Sequence, residues 1–332
     1  MRTPAKWPIV VIISSINIIP EAPIRDMVDI AIHAETLGFD RCWVYDEGLA
    51  TRDVYVTLGA IANATTRLEL GPGITNPHTR HPGQTASAIA SLDELSGGRA
   101  FLGIGAGGSL TLDPLGIERR RPLTAVGETI EACRRLWSGQ SVDLDGEHVL
   151  LRAATLDYGR ADTEIWLAGR GPNMLRLGGA RADGVMLDFI HQRSLADYVS
   201  LVRSGAEDSG RDARICYSTA IVTSDDDFEF VRPHMTYRLV DAPQSVKDVL
   251  GIDAAATDRI RDALRGGIHA AAELVPDEWI VPFVIAGSVH ECTSQLGDLV
   301  DQHGFEEFLV PVFDMPDNTA YLKRVASVLE AL

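Results

Sequence analysis

The sequence is short of positive charge. Its 30 Lys and Arg residues are outnumbered by 47 Asp and Glu residues, which gives a formal net charge of −17. A surface of this sign repels the phosphates of nucleic acids and the headgroups of anionic lipids. The composition therefore argues against nucleic-acid and membrane partners. We interpret the acidic surface as solubilising, and we expect the partner to be a small-molecule substrate.

Cysteine is also scarce, and metal-ligand patterns are missing. The four cysteines, Cys42, Cys133, Cys216 and Cys292, form no CxxC pair, and the nine histidines include no HxH or HxxxH pair. We therefore predict neither a disulfide framework, nor a zinc site, nor any other metal site. The apolar run near the start, residues 9–13, is too short to span a bilayer. These features predict a cytoplasmic protein.

Residues 67–109 carry the most informative pattern in the chain. Two short apolar strands are predicted at residues 67–71 and 99–103, and each is followed by a glycine-rich loop. A helix between them can begin at Pro82 and end at Gly97. In parallel α/β folds, ligands bind at the carboxyl ends of the strands. Both loops are therefore candidates for a binding site.

Eight predicted strands alternate with helices along the chain. This pattern favours one (β/α)8 TIM barrel of roughly 250 residues, enlarged by insertions. We predict a single domain over residues 1–332, with a β-hairpin insertion at about 138–162 and a helical insertion after strand 7 at about 225–280. A doubly wound open sheet is the rival, but it would have fewer strands and a GxGxxG loop after the first, which is missing here.

The first strand is predicted at residues 9–13. Ser14, Ser15 and Asn17 are then expected to follow its carboxyl end. Turn formation and contact with a ligand are equally open roles for these three polar residues.

Two adjacent carboxylates, Asp46 and Glu47, end the second predicted strand at residues 41–46. Barrel enzymes place acids, bases and hydrogen-bonding groups at this position. Because successive strand side chains point to opposite faces, we expect one of the two to face the pocket. The alternative is that Asp46 caps a loop or pairs with Arg52.

A second glycine motif follows the fifth predicted strand. It reads Gly169, Arg170, Gly171, Pro172 and Asn173 and opens a helix. Proline preorganises the first helical turn, and the unpaired N–H groups of that turn attract anions such as phosphate. Arg170 adds a charge. The motif is weak by itself, but its position after a buried strand favours a phosphate site.

These motifs together resemble a known family. The stretches that carry the resemblance are residues 43–47, 52–58, 71–77, 80–82, 96–99, 103–109, 169–172 and 182–185. They are similar to the bacterial-luciferase-like oxidoreductases, and within them to the coenzyme-F420-dependent branch that includes the methylenetetrahydromethanopterin reductases. The resemblance is strong from about residue 9 to 187 and weaker beyond.

The resemblance implies a deazaflavin at the carboxyl-terminal mouth of the barrel, with hydride moving between its C5 and a substrate carbon. It implies a non-prolyl cis peptide at Gly73-Ile74 behind the ring, and relatives are commonly dimers or larger homo-oligomers. Asp46 and Glu47 would be the catalytic pair. The implied cofactor-binding residues are Gly73, Ile74, Thr75, Asn76, Gly105, Ala106, Gly107, Gly108, Ser109, Gly169, Arg170, Gly171, Pro172 and Asn173.

One position departs from the family pattern. F420-dependent dehydrogenases of this kind often have a histidine after the strand-2 aspartate, where this chain has Glu47. Oxidation of an alcohol by a histidine base is thereby disfavoured, and reduction of a C=N or C=C bond is favoured. A buried Glu47 with a raised pKa could donate the proton.

Two other functions remain open. One is an FMN-dependent monooxygenase of the same superfamily, and the other is a non-catalytic deazaflavin-binding protein. The helical segment 225–279, with His234, Tyr237, Arg238 and Trp279, is predicted to form a lid or a wall of the pocket.

Overall fold

A computed structural model describes residues 12–313 and 315–332 of the chain. Its strands are, in chain order, β1 (Ile13–Ile18), β2 (Arg41–Val44), β3 (Glu69–Pro72), β4 (Leu102–Gly105), β5 (Val142–Asp145), β6 (Leu150–Ala154), β7 (Ile165–Ala168), β8 (Gly184–Asp188), β9 (Arg214–Ser218), β10 (Ile221–Val222), β11 (Ile285–Ala286) and β12 (Glu307–Val312).

The helices alternate with these strands. They are α1 (Ile24–Thr36), α2 (Val54–Ala64), α3 (Pro82–Ser96), α4 (Ser109–Leu112), α5 (Pro122–Trp137), α6 (Pro172–Arg181), α7 (Leu195–Ser209), α8 (Asp225–Val240), α9 (Gln244–Leu250), α10 (Ala254–Ala263), α11 (Ile268–Ala272), α12 (Asp277–Ile280), α13 (Val289–His303) and α14 (Asn318–Leu329). In the described ranges, no helix is both long enough and apolar enough to cross a membrane.

Eight of the strands form one parallel sheet in the order β3-β2-β1-β12-β9-β8-β7-β4. Its two end strands approach each other through single bridges, Leu70 to Ala100 and Thr75 to Ile104. The sheet is therefore a nearly closed barrel, and the predicted (β/α)8 fold is confirmed. The doubly wound alternative is wrong, because an open sheet would leave its end strands far apart.

The first strand runs later than predicted. β1 covers Ile13–Ile18, so Ser14, Ser15 and Asn17 lie inside it and not beyond its end. These polar residues can lie inside the strand because other residues of the barrel form hydrogen bonds with them. Ser15 Oγ donates to Glu307 at 2.6 Å, and Asn17 Nδ2 donates to the Gly73 carbonyl at 2.9 Å. Residues 9–11 of the predicted strand lie outside the described residues.

The floor of the barrel is charged. Arg41 pairs with Glu69, Glu164 and Glu307, at 2.5, 2.9 and 3.0 Å. Glu307 is 0% exposed and also accepts a hydrogen bond from Trp43 Nε1 at 2.9 Å. Buried charges need such partners because burial removes their hydration.

Large apolar side chains fill the middle of the barrel above this floor. The ring centroids of Trp43 and Phe101 lie 4.4 Å apart, and those of Trp43 and Trp166 lie 5.8 Å apart. Met186, Cys216 and Leu309 complete the buried cluster. Because the centre is packed, any cavity within the barrel must lie nearer the carboxyl ends of its strands.

Both predicted insertions are present. Strands β5 and β6 form the antiparallel hairpin, and α8 to α12 form the helical insertion after β9. The helical insertion is bracketed by β10 and β11, which pair in parallel with Ile221 opposite Ile285. The two ends of the helical insertion therefore lie next to each other beside the barrel.

One carboxylate holds the turn of the hairpin. Glu128 on α5 accepts hydrogen bonds from the backbone N–H groups of Glu147, His148 and Val149 at 2.8–2.9 Å. Burial acts to raise the pKa of Glu128, but these hydrogen bonds outweigh it and lower the pKa. The ionised side chain thus accepts hydrogen bonds from three backbone N–H groups that have no acceptor within the turn.

We predict that Glu128→Gln loosens this turn. Hydrogen bonds to a charged acceptor are stronger than those to an amide, so exchange of the three amides should become about tenfold faster. Hydrogen exchange resolved by NMR measures this effect. Amides in α13 serve as an internal control and should not change. Equal protection of the turn in both proteins would contradict the role of Glu128.

Candidate active site

A cavity of about 280 Å³ opens at the carboxyl ends of the barrel strands. Its walls come from the loops after β2, β3, β4 and β7, from residues of β1, β7 and β8, from α4, and from the end of α8. The lining residues are Asn17, Tyr45, Asp46, Glu47, Gly73, Ile74, Thr75, Asn76, Ala106, Gly107, Gly108, Ser109, Leu110, Thr111, Ala168, Gly169, Arg170, Met186, Asp188, Tyr237, Arg238 and Asp241.

The chain leaves β3 through a cis peptide between Gly73 and Ile74. This bond stands where the resemblance implied it, so that prediction is confirmed. A glycine is required at the first position. A Cβ on Gly73 would lie 2.7 Å from both Asn17 Oδ1 and Trp43 Cβ. The backbone can therefore cross directly above the packed centre of the barrel.

The rest of the β3 exit is held by its own side chains. Asn76 Oδ1 accepts from the backbone N–H groups of His78 and Thr79 at 2.9 and 3.0 Å. Thr75 Oγ1 donates to Asp46 Oδ2 at 2.6 Å. Asp46 is thereby fixed by a neighbouring strand exit, and not by the alternative pairing with Arg52.

Asp46 and Glu47 both line the cavity. The expectation that one of the two would face away is wrong, because β2 ends at Val44 and the alternation of strand side chains ends with it. Glu47 has φ −109° and ψ 36°, well outside the strand region. The turn therefore directs two consecutive carboxylates to the same side.

Burial raises the pKa of both carboxyl groups. For Asp46 the hydrogen bond from Thr75 opposes the effect in part, and for Glu47 the Arg238 guanidinium does so. A carboxyl with a raised pKa retains its proton at higher pH, as a general acid must.

Two glycine-rich loops complete one side of the cavity. After β4, Ala106, Gly107, Gly108 and Ser109 line it, whereas Gly105 lies behind them. A Cβ on Gly105 would overlap Ile74 Cδ1, so this glycine allows the loops after β3 and β4 to pack together.

The loop after β7 contributes part of its predicted set. Gly169 and Arg170 line the cavity, but Gly171, Pro172 and Asn173 do not. These three residues form the exposed start of α6, immediately next to the cavity wall. The N–H groups of that first turn have no partner within the helix.

The helical insertion supplies residues that the sequence motifs did not identify as site residues. Arg238 on α8 pairs with Asp188 at 3.2 Å, and Ser218 Oγ donates to the other oxygen of Asp188 at 2.9 Å. Arg170 lies 3.8 Å from the same carboxylate. The segment containing Tyr237 and Arg238 was expected to form a pocket wall, and both residues do line the cavity. Tyr45 lies in the family-like stretch 43–47, but no sequence signal identified it as a site residue.

No metal centre is found in the described parts of the chain. Within residues 12–313 and 315–332, no three His, Cys, Asp or Glu side chains are grouped to hold an ion.

Comparison with known proteins places this fold and cavity in a family. The model of the luciferase-like monooxygenase family matches residues 12–307. The chain belongs to this luciferase-like family. A 5,10-methylenetetrahydromethanopterin reductase of Methanolobus tindarius is 34% identical to this luciferase-like protein over 294 residues, which cover 86% of the chain and 90% of the reductase. The corresponding enzyme of Archaeoglobus fulgidus is 33% identical over 277 residues, covering 80% and 83%.

A solved structure agrees with these relatives. The coenzyme-F420-dependent tetrahydromethanopterin reductase from Methanopyrus kandleri matches the luciferase-like protein with a TM-score of 0.86 and 26% identity. The match covers 95% of this chain and 97% of the reductase.

Proposed function

We propose that this luciferase-like protein transfers hydride between coenzyme F420 and a small organic substrate, as a reductase of C=N or C=C bonds. The observation that supports this most directly is the meeting of three strand exits at one cavity beside Glu47. Two similar proteins carry F420 in their names: a glucose-6-phosphate dehydrogenase of Nakamurella multipartita, 33% identical over 201 residues, and the Methanopyrus kandleri reductase. Glu47 stands where the dehydrogenases of this family often have a histidine, and this difference favours reduction of a C=N or C=C bond over oxidation of an alcohol.

The residues present fit such a cofactor. The polar ring would lie against Gly73, Ile74, Thr75 and Asn76, and the loop 105–109 would approach it through backbone atoms. Asn17 Oδ1 is buried and has no hydrogen-bond partner among the described residues, so it is available to a polar ring edge. The start of α6 at 171–173, with Arg170 beside it, would hold a phosphate.

When bound, the deazaflavin supplies the hydride at C5. The chain's own residues supply the rest. We propose that Glu47 donates a proton to the reduced substrate, since its pKa is raised and it lines the cavity. Asp46, fixed by Thr75, would bind and orient the ring or its hydroxylated chain.

Turnover tests this proposal. Reduced F420 is mixed with the protein and a panel of imines and enones, and the return of the oxidised cofactor's absorbance is followed. Oxidation of F420 that depends on an acceptor is expected. Binding of F420 without oxidation by any acceptor would instead favour a carrier, and transfer of an oxygen atom to a substrate in the presence of reduced FMN would favour a monooxygenase.

The sequence-based expectations about the cell remain part of this proposal. They are a cytoplasmic location, a homodimer or larger homo-oligomer, and a single domain over residues 1–332. The acidic composition supports a small-molecule partner rather than nucleic acid.

A further inference from the structure

The cavity has two chemically different sides. The glycine-rich loops follow β3, β4 and β7, which are neighbours at one side of the barrel. Tyr45 follows β2, Asp188 ends β8, and Arg238 enters from α8. Apart from Ile74, Asn76 and Arg170, the first side is built of backbone and small residues, whereas the second is built of polar side chains. If the first holds the cofactor, the second faces the substrate.

Two buried polar atoms on the second side have no hydrogen-bond partner among the described residues. They are Tyr45 Oη and Arg238 Nε, on residues that are 8% and 4% exposed. An unpaired buried donor costs free energy, so such atoms call for a partner from outside the protein chain. Both residues line the cavity, where a ligand can supply that partner.

Arg238 is held firmly in place. One terminal nitrogen donates to the His234 carbonyl at 2.8 Å, and the other pairs with Asp188 at 3.2 Å. Its guanidinium carbon lies 4.2 Å from the centre of the Phe189 ring. The same carbon lies 4.8 Å from the centre of the Tyr237 ring, so these contacts engage the terminal nitrogens and the plane of the guanidinium. The Nε–H therefore remains as a preorganised donor.

The charges around these donors nearly cancel. Arg238 and Arg170 supply two positive charges, while Asp188 and Asp241 supply two carboxylates, and the proposed role of Glu47 as proton donor leaves that side chain neutral. A full anion would gain little from such a cluster and would lose its hydration on entry. A neutral oxygen acceptor, by contrast, can satisfy both donors without adding charge.

We propose that Tyr45 Oη–H and Arg238 Nε–H bind the carbonyl oxygen of the substrate, and that the substrate is an α,β-unsaturated carbonyl compound. This inference rests on the proposed function, which supplies the reduction of a conjugated C=C bond. Hydride adds to the β carbon, the electron pair of the C=C bond moves to give an enolate, and a proton from Glu47 on the α carbon restores the carbonyl. Tyr45 and Arg238 stabilise the enolate oxygen, where the charge develops.

Binding of two ring compounds tests the inference without turnover. Cyclohexenone presents a neutral carbonyl, and cyclohexenecarboxylate presents an anion on the same ring. Dissociation constants are measured by saturation-transfer NMR, with and without oxidised F420. We expect the ketone to bind the wild-type protein more tightly than the carboxylate, and Tyr45→Phe to weaken ketone binding about three- to tenfold.

Two further variants sharpen the test. Arg238→Lys keeps a positive charge near Asp188 but removes the Nε–H, and it should also weaken ketone binding. Tyr321→Phe removes the hydroxyl of another buried tyrosine, outside the cavity, and should leave ketone binding unchanged. Tyr45→Phe should keep the wild-type Tm, because the lost hydroxyl makes no hydrogen bond to any residue that the structure describes.

The inference is overturned if the ketone does not bind, if Tyr45→Phe leaves its dissociation constant unchanged, or if the carboxylate binds more tightly. A fluorescence titration with F420 on the same samples separates this failure from that of the proposed function. If F420 binds normally but Tyr45→Phe does not change ketone binding, the carbonyl site alone is refuted. If F420 does not bind but Tyr45→Phe weakens ketone binding, the cofactor assignment alone is refuted.

Discussion

Replacing Arg41 with methionine is expected to lower the free energy of unfolding by about 3–5 kcal/mol. The arginine is 2% exposed and is the shared cation of three carboxylates at the floor of the barrel. Its loss would leave Glu307, which is fully buried, without its ion-pair partner. Methionine retains most of the apolar packing, so the loss reports the charge and not a cavity. Urea unfolding at neutral pH measures it.

Two comparisons test the physical reason for this loss. Arg41→Met combined with Glu307→Gln should recover part of the stability, because the orphaned charge is then gone. Arg261→Met removes one member of an exposed pair with Asp258 and should cost less than about 0.5 kcal/mol. Equal losses for the buried and exposed arginines would show that the floor cluster is not what stabilises the barrel.

Replacing Glu47 with glutamine is expected to lower kcat for the proposed reduction by about 100- to 10,000-fold. The amide keeps the size of the side chain but has no acidic proton to give. Steady-state oxidation of reduced F420 with a saturating acceptor measures kcat. The surface substitution Glu330→Gln is the matched control and should leave kcat unchanged.

The pH profile of kcat has a predicted sign. Burial raises the pKa of Glu47. The nearby carboxylates of Glu21, Asp188 and Asp46 raise it further, and the Arg238 guanidinium acts to lower it. The protonated, donating form is therefore present below this raised pKa and is lost as pH rises through it. The kcat of the wild-type protein should therefore fall as pH rises through the pKa of Glu47. The pH profile of Glu47→Gln should lack this fall. An identical profile in both proteins would exclude Glu47 as the donor.

The sequence predicted the helices better than it predicted the site. α3 begins at Pro82 and is capped at Gly97, as predicted, because helix signals are local. His81 illustrates this, since its side chain caps α3 at Gly83 N as a local motif can. The Gly73-Ile74 cis peptide came from the family resemblance and not from any local rule.

The errors and omissions involve contacts between distant parts of the chain. Ser15 was placed outside its strand because its partner, Glu307, lies almost three hundred positions away. The cavity groups Tyr45, Asp188 and Arg238 are brought together by barrel closure and by the path of α8, which no sequence period reveals. Strand alternation also failed at Glu47, where the strand had already ended.

The central claim is that the glycine-lined side of the cavity holds F420, and a fluorescence titration tests it most directly. Gly108 lines the cavity, and a Cβ there would meet no heavy atom of the described chain within 4 Å. Gly108→Leu should therefore fold normally yet weaken F420 binding at least tenfold, while Gly297→Ala on α13 should bind like the wild type. We predict that the wild-type protein quenches F420 fluorescence saturably and does not quench the fluorescence of FMN at the same concentration. Saturable binding of FMN with no response to F420 would contradict the account.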